Sequence, residues 1–241
     1  MHIVTKYILT ALLVTLGLQA ENIYATFTVH AYKQANLAFS AGGIVQSVAV
    51  DITDSVRQGE RLATLANADL KAKLSIAEIA MAHAKREYAR QLEIKHVIQQ
   101  AKLEQYQFQY DNAKAQVAYI RSLLDKTILK APFDGMITAK QIEVGDVVSG
   151  VAPRTAFVLQ SRHKRKLLVT YDQRYWHRVR TGQIFRYTID GESTVHEGVI
   201  SKIYPQADRN NRKLTAEVLA QDYPVGLFGE GEILLPKKDT E

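Results

Sequence analysis

The segment that decides the fold is residues 67–125, which read NADLKAKLSIAEIAMAHAKREYARQLEIKHVIQQAKLEQYQFQYDNAKAQVAYIRSLLD and contain neither glycine nor proline. The whole chain has 13 glycines and 5 prolines, so a gap of this length is typical of helical structure. Apolar residues recur within it at alternating intervals of four and three, first at Leu70, Leu74, Ala77, Met81, Ala84 and Tyr88, and again at Leu103, Tyr106, Tyr110, Ala113, Val117, Ile120 and Leu124. This spacing predicts two helical stretches that share an a/d seam of the coiled-coil type.

Polar residues interrupt the seam between the two series, at Gln91, Lys95, His96, Gln99 and Gln100. We therefore expect the chain to reverse near residues 95–98 and to form two antiparallel helices of about 27 residues, each about 40 Å long. The alternative is one continuous helix of roughly 60 residues, which would need a partner chain along its length.

Strand-like sequence flanks the predicted hairpin on both sides, and the two flanks repeat each other. The corresponding segments are residues 43–45 and 135–137, residues 56–59 and 147–150, and residues 62–65 and 157–159. Neither flank can bury its apolar face alone, so we expect the two to pack together as a small β-sandwich. The hairpin is then an insertion in that sandwich.

Residues 161–236 predict a separate β-domain. Short strand-like segments recur there between turn residues, at 167–171, 185–189, 198–203, 215–219 and 232–235. Five or six strands at this spacing are typical of a small barrel. One short helix is expected near residues 172–179, and residues 237–241 form a C-terminal tail.

The first residues resemble an export sequence. Lys6 precedes an apolar run from Tyr7 to Leu18, and the small residue Ala20 follows before the polar Glu21. This order predicts a secretory signal peptide over residues 1–20, and the run is shorter than the roughly 20 apolar residues of a comfortable membrane span. An uncleaved N-terminal anchor is the alternative. In both cases the rest of the chain leaves the cytoplasm, which argues against a nucleic-acid partner.

The composition excludes several kinds of chemistry. The chain has no cysteine, so disulfides, thiolate metal sites and a cysteine nucleophile are ruled out. Its seven histidines show no metal-ligand spacing, and neither a Ser-His-Asp signature nor a phosphate-binding glycine loop is present. We therefore expect no metal, no cofactor and no catalysis.

Several segments resemble the membrane fusion protein family, the periplasmic adaptors of resistance-nodulation-division and related efflux pumps in the HlyD-like superfamily. The most specific one is residues 127–135, which read TILKAPFDG and follow the predicted hairpin directly. The others are residues 43–50, residues 56–65, residues 198–205 with Arg212, and residues 229–233. The sequence ends soon after the barrel, which predicts a short form with a membrane-proximal domain absent or rudimentary.

The resemblance implies a mainly β fold with an inserted α-helical hairpin. A lipoyl-like β-sandwich would be split by the antiparallel coiled coil and followed by a small β-barrel. The implied sections are residues 21–39 joining the barrel region, residues 40–66 and 126–160 as the two lipoyl-like halves, residues 67–125 as the hairpin, and residues 161–236 as the barrel.

The function implied is that of an adaptor in the periplasm, associated with the inner membrane. It would couple an inner-membrane transporter to an outer-membrane channel protein in a tripartite efflux pump, as a homo-oligomeric ring. One alternative is an adaptor of an ATP-driven exporter or a type I secretion system. Another is a stand-alone periplasmic binding or carrier module, although Lys126 and Lys130 lack the sequence setting of a modifiable carrier lysine.

The hairpin tip is the contact site for the outer-membrane channel that the resemblance implies. Family members commonly carry an Arg, a Leu and a Ser there, and the matching positions are Tyr88, Leu92 and Gln99, of which only Leu92 agrees. The candidate contact residues are Tyr88, Arg90, Leu92, Lys95, His96 and Gln99.

A basic run at residues 162–166 is a candidate surface for the transporter or for lipid headgroups. Arginines follow it at positions 174, 178 and 180. Each basic residue near an anionic surface contributes about 1 kcal/mol. The candidate contacts are Lys164, Arg165, Lys166, Arg178 and Arg212. The alternative is a solvated face or a hinge loop, as most charge runs are.

Overall fold

The computed structural model describes residues 22–94 and 99–235. They form two compact units: one holds the described residues up to Tyr32 and from His163 onward, and the other holds Lys33–Arg162. In chain order the elements are β1 (Ile23–Ala31), β2 (Gln34–Leu37), β3 (Gly43–Val48), β4 (Ser55–Val56), β5 (Arg61–Leu65), α1 (Ala68–Glu93), α2 (Gln100–Lys126), β6 (Ile128–Lys130), β7 (Gly135–Lys140), β8 (Val147–Val148), β9 (Phe157–Gln160), β10 (Lys164–Asp172), a one-turn 3-10 helix (Gln173–Tyr175), β11 (Ile184–Ile189), β12 (His196–Ile203), β13 (Lys213–Gln221) and β14 (Phe228–Ile233).

The second unit is built on a β-sandwich of two four-stranded sheets, with strand orders β2-β9-β7-β4 and β6-β5-β3-β8. The sequence repeat maps three strands of one sheet onto three of the other, because exchanging β9 with β5, β7 with β3 and β4 with β8 converts β9-β7-β4 into β5-β3-β8. The remaining strands, β2 and β6, occupy equivalent edge positions. The short strands β4 and β8 each pair with a strand of the opposite half. The two halves are therefore interlocked rather than stacked as separate sheets.

Apolar side chains from both sheets form one core between them. Leu62 of β5 packs in the same cluster as Ile137 of β7 and Phe157 and Leu159 of β9, and all four are fully buried. Burial of each such side chain stabilises the fold by about 1.5–3 kcal/mol. Since the residues come from before and after the hairpin, this core holds the two ends of the insertion together.

The two helices form the predicted antiparallel hairpin. Residues of both seam series meet along it, with Ala77, Val117 and Ile120 buried at the centre and Leu74 and Met81 packed against them. With 26 and 27 residues, α1 and α2 are each about 40 Å long. The alternative of one continuous helix is excluded because the helices pack against each other within one chain.

Six antiparallel strands of the first unit close into the predicted barrel, in the order β1-β10-β13-β12-β11-β14. Its interior holds an aromatic cluster in which the Phe27 ring packs edge-on against Phe185 at 5.8 Å and against Tyr187 at 5.1 Å between ring centroids. The expected assignment of residues 21–39 to the barrel region needs one correction. β1 joins the barrel, whereas β2 pairs with β9 and belongs to the sandwich.

Candidate functional site at the hairpin and the barrel

A buried polar pair fixes the base of the hairpin. The Asn67 side chain, just before α1, donates a hydrogen bond of 2.9 Å to the hydroxyl of Thr127, just after α2. That hydroxyl in turn donates to the carbonyl oxygen of Leu124 at 2.6 Å. Because Asn67 and Thr127 are both buried, these bonds replace those that water would otherwise supply. The entry and exit of the hairpin are thus joined directly where they leave the sandwich.

The far end of the hairpin presents apolar side chains to solvent. Helix α1 ends at Glu93, and Leu92 and Ile94 are 44% and 47% exposed there. Gln99 caps α2 in an extended backbone conformation, and its carbonyl oxygen accepts the amide hydrogen of Leu103 at 3.2 Å. Exposed apolar residues at the end of a long projection are typical of a contact surface.

The remaining predicted tip residues have different placements. Arg90 is exposed and forms an ion pair of 3.2 Å with Glu87, one turn earlier on the same helix. Tyr88 lies in the seam and stacks on Tyr110 of α2 with ring centroids 6.2 Å apart. A half-buried ring in the helix interface stabilises the hairpin. Lys95 and His96 lie outside the described residues.

Side chains along β10 point alternately outward and inward, so the basic residues of this run lie in different environments. Lys164 is exposed, with its ammonium group 5.9 Å from the centre of the Tyr32 ring, and Lys166 is partly exposed opposite His30. Arg165 points inward and is only 7% exposed, and its guanidinium donates 2.7 Å to the carbonyl oxygen of Tyr223. The expectation that Arg165 contacts a partner is therefore corrected to a structural role within the barrel.

Arg178 and Arg212 lie at the opposite end of β10 from Lys164. The nine residues of β10 separate the two groups by roughly 25 Å. Arg178 stacks over the Tyr175 ring at 5.9 Å, and the Arg212 carbonyl oxygen accepts the amide hydrogen of Gln173 at 3.1 Å. The five predicted residues therefore do not form one surface, although Arg178 and Arg212 lie in adjoining loops.

An exposed aromatic residue in the same loop as Arg178 was not predicted from the sequence. Trp176 is 68% exposed and directly follows the one-turn 3-10 helix. It is the only tryptophan in the chain and stands within a segment that carries Arg174, Arg178 and Arg180. A lone tryptophan among arginines in a turn region was the available signal.

The described residues carry neither a metal-binding cluster nor a membrane-spanning helix. Across residues 22–94 and 99–235, no cluster of three or more His, Cys, Asp or Glu side chains could hold a metal ion. His163 and Asp222, 2.7 Å apart, and His196 and Glu192, 3.2 Å apart, are isolated pairs on the barrel. None of the helices in this part of the chain combines the length and apolar character that crossing a membrane requires.

The two described units together define a barrel-sandwich hybrid that is interrupted by a helical hairpin and accompanied by a six-stranded barrel. A family model of the CzcB-like barrel-sandwich hybrid domain matches residues 33–158, more than half of the sequence. The chain belongs to this family, and the predicted membership of the membrane fusion proteins, or periplasmic adaptors, is confirmed.

Solved structures with the same fold have low sequence identity to the chain. A MacA–MexA chimeric protein containing the α-hairpin domain of Pseudomonas aeruginosa MexA has a TM-score of 0.85 at 18% identity, over 92% of this chain and 84% of that chain. The membrane fusion protein Spr0693 from Streptococcus pneumoniae R6 has a TM-score of 0.72 at 18% identity, over 90% and 99%. MacA from Actinobacillus actinomycetemcomitans has 0.66 at 15%, over 89% and 78%. No curated protein sequence matches the chain.

Proposed function

We propose that the protein is a non-enzymatic periplasmic adaptor of a tripartite efflux pump, which couples an inner-membrane transporter to an outer-membrane channel for export across the envelope. The observation that carries the proposal is the hairpin: about 40 Å of exposed coiled coil, fixed at its base by the sandwich core and by the Asn67–Thr127 pair. Such a projection suits a protein that bridges a distance. Catalysis and energy supply would belong to the partner transporter.

The end of the hairpin supports contact with the channel. Leu92 and Ile94 are exposed there, where no packing within the described residues requires them to be apolar. Because each of the two side chains is already about half buried, their complete burial against a partner would contribute about 1.5–3 kcal/mol in total before the cost of association. Leu92, together with Arg90 and Gln99, is our proposed centre of that contact.

Large apolar residues on the outer faces of both helices support a homo-oligomeric ring. Ile76 and Ile79 of α1 and Phe108 and Tyr119 of α2 are 60–69% exposed, away from the seam. Ile76 and Ile79 are three residues apart and therefore share one face of α1. Hairpins that pack side by side would bury these faces and form a tube.

The barrel surface around Lys164 and Lys166 is the proposed contact for the transporter. Both side chains reach solvent, and they border strand β1 through Tyr32 and His30. Burial and then the nearby charge of Lys166 lower the pKa of His30, so this patch gains no further positive charge near neutral pH. We place the protein in the periplasm, associated with the inner membrane.

Cross-linking in cells followed by affinity capture tests the proposal. The tagged full chain should recover a proton-driven transporter and an outer-membrane channel. The variant Leu92→Asp should lose the channel and keep the transporter, whereas Lys71→Asp, a change at an exposed position of the hairpin base, should keep both. Recovery of an ATPase instead would move the protein to an ATP-driven exporter or type I secretion system, and recovery of neither partner would favour a stand-alone binding module.

A further inference from the structure

The strand directions bring four parts of the barrel to one end. Strand β10 ends at Asp172 opposite the start of β13 at Lys213, so the loops at residues 173–183 and 204–212 lie side by side. Strands β1 and β14 pair Ile23 with Ile233, which places residue 22 and the end of β14 at this same end. We call this end, with its two loops, the basic end.

The loops of the basic end carry a net positive charge. They contain five arginines and one aspartate, namely Arg174, Arg178, Arg180, Arg209, Arg212 and Asp208. Arg174 forms an ion pair of 2.9 Å with Asp172 at the end of β10. A concentration of arginines of this kind orients a protein toward an anionic surface.

An aromatic groove accompanies the arginines. Trp176 lies at the edge of a groove of about 660 Å³ that Tyr204, Pro205 and Leu214 also line. Trp176 keeps 68% of its surface exposed, although tryptophan is highly buried on average. Tryptophan prefers the boundary between water and hydrocarbon, where its ring is buried and its N–H stays hydrated.

Chain continuity points the same end toward a bilayer. The chain enters the barrel at residue 22, after a sequence that contains the apolar run from Tyr7 to Leu18. Either an anchor or a recently cleaved signal would present this end of the barrel to the membrane surface first.

We infer that the basic end binds the surface of a bilayer that contains anionic phospholipid, with Trp176 at headgroup level and the arginines on the phosphates. An acidic groove on a protein would satisfy the arginines but gives no reason for an exposed tryptophan beside the point where an apolar segment joins. The inference goes beyond the adaptor proposal and does not depend on it, since lipid binding needs neither the hairpin end nor a transporter.

The sole tryptophan makes the inference directly measurable. Tryptophan emission from the full chain reports Trp176 alone. Vesicles of phosphatidylcholine with phosphatidylglycerol should shift the emission to the blue, and a quencher placed in the lipid headgroup region should reduce it. Vesicles of phosphatidylcholine alone should do neither. The shift should fade as salt rises, because the screening length falls to about 10 Å at 0.1 M and shortens further above it.

Charge variants complete the test. The triple variant Arg209→Gln, Arg212→Gln and Lys213→Gln should bind the anionic vesicles roughly tenfold to a hundredfold more weakly at low salt. The matched variant Lys71→Gln, Lys73→Gln and Lys85→Gln removes the same charge from exposed helix positions and should bind like the parent chain. Circular dichroism checks that both variants fold.

Three results would overturn the inference. One is no emission shift with anionic vesicles, and another is an equal shift with neutral ones. The third is a shift only when solubilised transporter is added, which would assign the basic end to a protein partner. If the triple variant does not fold, the salt series on the parent chain decides, because a shift that is independent of salt contradicts the role of the arginines.

Discussion

Replacing Gly135 by alanine tests the close approach of strands that holds the sandwich together. Gly135 begins β7, and a Cβ atom there would lie 2.9 Å from Cδ1 of Leu159 and closer still to the carbonyl oxygen of Gln160. Gln160 is the neighbour of Met136 across the sheet, so this oxygen belongs to a paired backbone and cannot rotate away. The sequence repeat supplies a matched control at Gly43, where a Cβ would meet only the Leu65 side chain at 3.5 Å and 3.6 Å.

The two substitutions should have clearly different effects on the free energy of unfolding. Overpacking against a fixed neighbour costs about 1–3 kcal/mol, and the backbone contact at Gly135 argues for the upper half of that range. At Gly43 the contacts are ordinary, so Gly43→Ala should be neutral or stabilise by about 0.4–1 kcal/mol through the unfolded chain. The melting temperature should then fall by roughly 5–10 °C for Gly135→Ala.

Calorimetry and hydrogen exchange together measure the difference in stability between the two variants and locate it in the sandwich. Calorimetry gives the melting temperature of each variant, and exchange at the amides of β9 shows whether the change lies in the sandwich. A Gly135→Ala variant as stable as Gly43→Ala would refute the reasoning, since it would mean that β7 and β9 do not approach as the fold requires.

Three further changes probe the hairpin base, the seam and the barrel. Thr127→Val should destabilise the hairpin base by about 1–3 kcal/mol because it removes the hydrogen bond from buried Asn67, and Thr127→Ser should restore it in denaturant titrations. Ile120→Ala should cost about 2–4 kcal/mol and speed proteolysis of the helices, whereas the exposed neighbour change Tyr119→Ala should leave both unchanged. Burial raises the pKa of Tyr187, so the unfolded chain ionises first and stability should fall as pH rises above about 10, by up to ~1.4 kcal/mol per pH unit. A melting series across that range should show a shallower fall for Tyr187→Phe, and an identical fall would contradict this origin.

The hairpin was predictable because its signals are long and regular. Every seam position of the sequence pattern is buried or half-buried in the structure, from Leu70 and Ala77 to Ile120 and Leu124. A periodic pattern over seven turns predicts a helix even when single residues depart from it. The absence of glycine and proline from residues 67–125 indicates where the helical section begins and ends.

The details of the β-domains were less predictable, for physical reasons. Strands β4 and β8 have two residues each, too few to show a period, so their exchange between halves has no signal in the sequence. Arg165 was assigned by charge, although its position alternates in phase with the buried Leu167 and Val169. The alternation along the strand therefore predicts that the Arg165 guanidinium lies inside the barrel. In the same way, the a/d spacing assigns Tyr88 to the seam between the helices.

The adaptor proposal is tested most directly by a photo-activated cross-linking residue placed at Leu92 in living cells. The exposed end of α1 should capture an outer-membrane channel protein there. The same residue at Lys71, 21 positions earlier on the helix and therefore about 32 Å away, should not. Capture of the channel from Leu92 alone is the expected result. Capture from neither position, or equally from both, would contradict end-on contact by the hairpin and with it the proposed coupling.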